Sequence, residues 1–243
     1  VTQTASAWPR HVAIVGATGG IGSALVARFA EQTSVQDLLA LSRQRPACLP
    51  GKASWQGIDY QDPASVAKAF AAVPLLDLVI VASGLLHDGD YGPEKSVRAL
   101  AAPDLERAFR VNAIGPALVA SAVMSKMPRS GRAVFAALSA RVGSISDNGL
   151  GGWYGYRASK AALNQLLRTF SIEWSRRNPD SICVALHPGT VDTRLSAPFQ
   201  SGVAPEKLFT PGYAAERLIA VLRNLGPADT GGFFAWDGKP VPY

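Results

Sequence analysis

Val12-Ala-Ile-Val15 runs directly into Gly16-Ala-Thr-Gly-Gly-Ile-Gly22, and a helical pattern over 21–32 follows. The four apolar residues read as a short strand buried on both faces, since such strands show continuous apolar runs rather than alternation. The glycines at 16, 20 and 22 keep a G-x-x-x-G-x-G spacing. A turn without side chains between a strand and a helix lets the backbone approach a pyrophosphate. The helix start then presents N–H groups and the positive end of its dipole. The stretch therefore predicts a dinucleotide site built from Gly16, Thr18, Gly20, Ile21 and Gly22; the plainer alternative is a tight turn with no ligand.

The same alternation extends over the rest of the chain. Apolar runs at 38–41, 54–58, 78–82, 133–138, 182–186 and 233–236 read as further strands, and 63–72, 104–126, 156–177 and 213–224 read as helices. Leu163, Leu166, Leu167, Phe170 and Trp174 carry the i, i+3, i+4 spacing of a buried helical face. Strand–helix alternation without an internal repeat or a dividing linker predicts an α/β fold: one doubly wound parallel sheet with helices on both faces. Residues 11–243 form the single domain in this reading, and 1–10 a loose N-terminal arm.

Composition narrows the function classes. The chain has 243 residues, 48% hydrophobic and 17% charged, which suits a packed domain rather than disorder. Lys and Arg number 24 against 18 Asp and Glu, a formal charge of +6. These cations are dispersed and not interleaved with aromatic residues, so no nucleic-acid partner is expected. Cys48 and Cys183 form no motif, and the three histidines form no ligand cluster, so no metal is expected. With no apolar run approaching the roughly 18 residues of a membrane span and no signal-peptide pattern, the expected location is cytoplasmic, with no membrane association.

In a doubly wound sheet the ligand lies beyond the carboxyl ends of the strands. At the end of the second strand, where an NAD site usually carries an acid, this chain has Ser42 and Arg43. A guanidinium beside a hydroxyl suits a 2′-phosphate and points to NADP rather than NAD. Asp59, ending the third strand, is placed to accept from an adenine amino group or to cap its loop. Tyr156-Arg-Ala-Ser-Lys160 opens the longest helix, and residues i and i+4 share a helical face. An ammonium beside a phenol is expected to lower the phenol pKa and suit it to proton transfer while hydride moves.

Taken with Ala82-Ser83-Gly84, Asn112 and Pro188-Gly189-Thr190-Val191-Asp192-Thr193, these motifs resemble the short-chain dehydrogenase/reductase superfamily from Val12 to Trp236. Ser139-Ala-Arg-Val-Gly-Ser-Ile145, Gly152-Trp-Tyr-Gly-Tyr-Arg157 and Phe233-Phe-Ala-Trp-Asp-Gly238 look most like the C-factor-like and sniffer-like carbonyl reductase branch. The resemblance implies a Rossmann fold with strand order 3-2-1-4-5-6-7 and a homodimer or homotetramer. It implies Tyr156 as general acid/base, Lys160 on the nicotinamide ribose and Asn112 in a proton relay. It also places Ala82, Ser83 and Gly84 beside the adenosine, and Pro188, Gly189, Thr190, Val191 and Thr193 about the nicotinamide and phosphates.

Three stretches depart from the family pattern. Val15 replaces a threonine, and Val81-Ala82-Ser83-Gly84 stands where the family often has Asn-Asn-Ala-Gly. At the fifth strand the second of two serines, the catalytic one, is Ala140. Ser139, 17 residues before Tyr156, or Ser144, 12 before it, is then expected to orient the substrate carbonyl, with Ser139 preferred. The segment 194–211, with Leu195, Phe199, Val203, Leu208 and Phe209, is expected to cover an apolar carbonyl or alcohol substrate. His87, Asp88, Trp153 and Tyr154 are further candidates for the pocket. The expected function is NADP-dependent hydride transfer; the alternative is a nucleotide-binding signalling or regulatory protein of the same fold.

Overall fold

The computed structural model describes residues 8–243. The elements in chain order are β1 (His11–Val15), α1 (Gly20–Ala30), β2 (Asp37–Ser42), β3 (Ala53–Gly57), α2 (Pro63–Ala71) and β4 (Leu78–Val81). They continue with α3 (Ala102–Phe109), α4 (Gly115–Val123), β5 (Ala133–Leu138), α5 (Tyr154–Arg177), β6 (Ser181–His187), β7 (Thr190–Val191), β8 (Leu208–Phe209), α6 (Pro211–Asn224) and β9 (Phe233–Ala235). Seven strands form one sheet in the order β3-β2-β1-β4-β5-β6-β9, and every neighbouring pair is parallel. With β9 as the seventh strand of the sheet, this is the expected order. The short parallel pair β7–β8 was not legible in the sequence.

Alternate side chains of each strand feed two cores. On one face Ile14, Ile80, Val134 and Val184 meet Leu25 and Phe29 of α1 and Leu218 and Leu222 of α6. On the other, Val79, Phe135 and Cys183 meet Val119 and Val123 of α4 and Leu163, Leu167 and Trp174 of α5. Phe29, Phe70, Phe135 and Phe233 are fully buried, and each contributes roughly 2 kcal/mol by leaving water. Burial on both faces explains the continuous apolar runs.

The helix expected over 104–126 spans Ala102–Lys126, with a π turn at Arg110–Ile114 between α3 and α4. It is long and apolar enough to cross a membrane by length and composition. Its Val119, Ala120 and Val123 are buried in the core against the sheet. Residues 1–7 of the expected arm lie outside the described residues. Residues 8–10 are not loose: Trp8 lies under the Arg132 guanidinium at 4.5 Å, Pro9 is buried, and the Arg10 N–H donates to the Asp77 carboxylate.

Candidate active site

Because the sheet is wholly parallel, its strand ends and the segments following them gather along one edge. At the first of these, Gly16 has φ +89°, and its N–H donates to the Leu41 carbonyl at 2.8 Å. A Cβ on Gly16 would stand 2.7 Å from the Ser83 nitrogen, and one on Gly22 would stand 2.1 Å from the Gly16 oxygen. A Cβ on Gly20 would meet the Thr193 methyl at 2.6 Å. Helix α1 opens with no side-chain cap and no acid in its first turn. Its leading N–H groups and dipole are therefore available to an anion. Thr18 is exposed beside them and Ile21 half-buried. This is a glycine cradle that side chains would fill, and it fits a pyrophosphate.

The structure adjusts the adenosine side. Arg43 is exposed at the end of β2. Ser42 is buried, and its hydroxyl donates to the Gln44 carbonyl at 2.6 Å while accepting from the Trp55 indole at 3.1 Å. Ser42 thus braces the loop, and Arg43 beside it keeps its guanidinium exposed. Asp59 shows its capping role, accepting the Gln61 N–H at 2.9 Å. Tyr60, unremarked in the sequence, hydrogen-bonds Ser83 Oγ at 2.8 Å. Its ring occupies the space a Cβ on Gly115 would need, 2.2 Å away. Ala82 continues the sheet pairing, its N–H donating to Val15 O at 2.7 Å.

Gly84 marks where the β4 loop meets Asn112, Lys160 and Leu195. A Cβ there would lie 3.8 Å from both Asn112 Oδ1 and Lys160 Nζ, and 3.7 Å from Leu195. Asn112 sits in the π turn and is fully buried. Its amide accepts the Leu85 N–H and donates to the Leu85 carbonyl, both at 2.8 Å, and to Ser159 Oγ at 3.0 Å. It anchors the strand-β4 loop to α5. Lys160 Nζ donates to the Leu138 carbonyl at 2.8 Å and lies 5.9 Å from the Tyr156 ring centre.

Tyr156 is buried, and burial, with Tyr91 nearby, holds its phenol above the ordinary tyrosine pKa. This reverses the expectation that Lys160 lowers it. Burial also pushes the Lys160 ammonium down to about 7. Two groups withdrawn together from water both resist charge. The phenol therefore keeps its proton at neutral pH.

Ser139 is not brought to Tyr156. It sits one residue past β5, on the same face as Phe135 and Ala137, and donates to Asn164 Oδ1 at 2.7 Å. Asn164 lies eight residues beyond Tyr156, about 12 Å along the helix axis. The parity of the strand thus turns Ser139 toward the middle of α5 rather than its start. Ser144 is buried and accepts the Asp147 N–H at 3.2 Å. His187, beside them at the end of β6, has its ring pKa pushed down to about 4, by burial first and by Arg141 second.

Beyond β6, Gly189 has φ +79°, and a Cβ there would strike Phe209 at 2.6 Å. Pairing of Thr190 with Leu208 and of Val191 with Phe209 ties together the two ends of the intervening segment 192–207. Pro188 and Thr190 are half-buried, and Thr193 packs on Gly20 as described. Near the start of α5 Trp153 meets Phe199 at 5.0 Å and Tyr156 at 6.3 Å, both edge-on. His87 meets Phe199 at 5.8 Å and contacts the Arg194 carbonyl through Nε2 at 2.9 Å. Asp88 is instead paired with Arg107, and Tyr154 is exposed.

Comparison with known proteins agrees with this geometry. C-signal of Myxococcus xanthus is 34% identical over 140 residues, which cover 58% of this chain and 79% of that protein. An NADPH-bound carbonyl reductase from chicken fatty liver superposes with a TM-score of 0.82 at 26% identity, covering 96% of this chain and 99% of that one. The carbonyl reductase Sniffer of D. melanogaster shares the fold with a TM-score of 0.82 at 23% identity, covering 96% and 99%. The short chain dehydrogenase family model matches residues 10–204, and this chain belongs to that family.

Proposed function

We propose that the protein is an NADP-dependent reductase of small apolar carbonyl compounds, with Tyr156 as the proton donor. The carrying observation is the convergence of Asn112, Lys160 and Leu195 on Gly84, one helical turn from a phenol that keeps its proton. When bound, the nicotinamide supplies hydride to the carbonyl carbon. Tyr156 gives its phenolic proton to the carbonyl oxygen. Lys160 and Asn112 hold the ribose side and connect Tyr156 to a route for reprotonation. Gly16, Gly20 and Gly22 admit the pyrophosphate, and Arg43 takes the 2′-phosphate. The exposed Arg43, the absence of an acid at the end of β2 and the likeness to an NADPH-bound carbonyl reductase support NADP. Trp153, Phe199 and Leu195 support an apolar substrate.

Tyr156→Phe tests the reading. NADPH oxidation with a panel of aldehydes, ketones and quinones should fall by about 10²–10⁴-fold, while NADPH affinity measured by fluorescence titration stays nearly unchanged. Retained turnover sinks the role of Tyr156.

Ala140 favours a second reading. The chain lacks the hydroxyl that the family carries at that position, and Ser139 is turned away. A nucleotide-binding regulatory protein that binds NADPH without turnover fits this departure. Tight NADPH binding with no oxidation by any carbonyl in the panel selects it.

A further inference from the structure

The start of α5 carries the proton donor of the proposed reaction, yet nothing local caps it. Trp153 precedes the helix with φ 54° and ψ 44°, and no neighbouring side chain accepts from the first helical N–H groups. Gly151 and Gly152 also have positive φ, 64° and 65°, so three consecutive residues are left-handed. Glycine adopts this at little cost, but a tryptophan does so only where surrounding structure compels it.

That compulsion comes from two sides. From the loop between β4 and α3, the Glu94 backbone carbonyl accepts the Trp153 N–H at 2.6 Å. The Glu94 carboxylate accepts the Gly155 N–H through Oε2 at 3.0 Å. Glu94 is only 5% exposed. A Cβ on residue 155 would stand 2.8 Å from Glu94 Oε1 and 3.3 Å from Leu105, so glycine is needed for the carboxylate to approach. From the other side, Arg157 donates to the carbonyls of Gly152 at 2.9 Å, Gly151 at 3.1 Å and Val142 at 3.3 Å. Tyr156 lies between these two grips, with its ring edge-on to Trp153.

We propose that Glu94 is a positioning residue for the reaction: it acts as the missing cap of α5 and, with Arg157, fixes the angle at which Trp153 and Tyr156 face the substrate. The Glu94 side-chain oxygen on the Gly155 N–H also stands at the positive end of the helix dipole. Glu94 touches neither substrate nor cofactor in this assignment; it acts through residues 153–156. The proposal rests on Tyr156 as proton donor for its catalytic consequence and on the backbone geometry alone for its structural one.

The test compares wild type with E94A and the isosteric E94Q. Amide hydrogen exchange is followed over residues 151–160, with NADPH affinity and steady-state reduction of para-nitrobenzaldehyde. In E94A, exchange at 153–155 should quicken by about tenfold, as expected for a lost cap. kcat should fall about tenfold, with the NADPH Kd within about twofold of wild type. E94Q keeps an oxygen facing Gly155 and should restore most of both; it carries the comparison if E94A does not fold. Unchanged exchange in E94A overturns the proposal. So does a parallel loss of NADPH affinity and kcat that E94Q fails to relieve, because that pattern marks general damage. If wild type reduces no carbonyl, the proposed activity fails, and the exchange arm still decides whether Glu94 holds the helix start.

Discussion

At the phosphate end of the groove, Gly16, Gly20 and Gly22 are fixed by backbone and methyl contacts that leave no room for a Cβ. At the Tyr156 end, the side chains of the proposed reaction are set by polar side-chain contacts from remote segments. Asn112 reaches Leu85, Lys160 reaches the Leu138 carbonyl, and Glu94 reaches Gly155. The first end is shaped by exclusion, which tolerates no substitution but needs no directionality. The second is shaped by directed hydrogen bonds, which are adjustable and can be lost one at a time. Ala140 illustrates that freedom: the fold stands without a hydroxyl at this position.

This contrast can be broken most sharply at Gly22. Gly22→Ala places a methyl 2.1 Å from the Gly16 oxygen, so the turn must open; overpacking of this kind costs about 2–3 kcal/mol. NADPH affinity by titration should fall about a hundredfold. Binding within threefold of wild type would refute the steric account of the phosphate end.

A smaller effect is expected at Arg43. Arg43→Ala removes the exposed guanidinium at the end of β2. The preference for NADPH over NADH should drop about ten- to a hundredfold, the range of a charged hydrogen bond. NADH affinity should stay constant; an equal loss for both cofactors assigns Arg43 to general electrostatics.

At the other end, the paired variants Ala140→Ser and Ser139→Ala separate position from chemistry. Ala140→Ser should raise kcat about tenfold by adding a donor near the reacting oxygen. Ser139→Ala should leave kcat within about twofold and lower stability by about 1 kcal/mol, through the lost bond to Asn164. The reverse outcome, measured by steady-state kinetics and urea unfolding, would return the catalytic role to Ser139.

The smallest effect concerns Lys160. Its folded pKa of about 7 lies below the ordinary lysine value of 10.5. Between these values the unfolded chain binds more protons, so stability rises with pH. The penalty is full below about pH 7. From pH 7 to 8 the wild type should gain about 1 kcal/mol relative to Lys160→Met, read by urea unfolding without cofactor. Taking the difference between the two proteins cancels the opposing contribution of Cys183, whose thiol pKa is raised by burial. A flat difference would place Lys160 in contact with water.

The same contrast explains what the sequence disclosed. The strand over 133–138 and the helix over 63–72 could be read almost to their ends, because burial on both faces and the Asp62-Pro63 start leave local marks. The glycine turn was legible because exclusion selects one residue type. Ser139 was misplaced because a one-residue step along a strand reverses the face, and the Asn164 partner that holds it lies 25 residues away in the sequence. Ser42 was read as a ligand group because its Gln44 and Trp55 partners lie in the folded loop. Glu94 gave no signal: it lies 61 residues before Gly155, in a stretch with no periodicity.

The π turn at Arg110–Ile114 has one further consequence. A regular helix rotates its side chains by about 100° per residue, and a single surplus residue shifts the phase of everything beyond it by that angle. α3 thereby presents Leu105 and Ala108 toward Gly155 while α4 presents Val119 and Val123 to the sheet. Deleting one residue from the turn would heal the hydrogen-bond ladder into an ordinary helix. It would also rotate α3 off α5 and carry Asn112 out of reach of Leu85. Here the irregular helix serves as a mechanical phase adjuster, letting one continuous rod serve two surfaces that no unbroken helix of this sequence could face together.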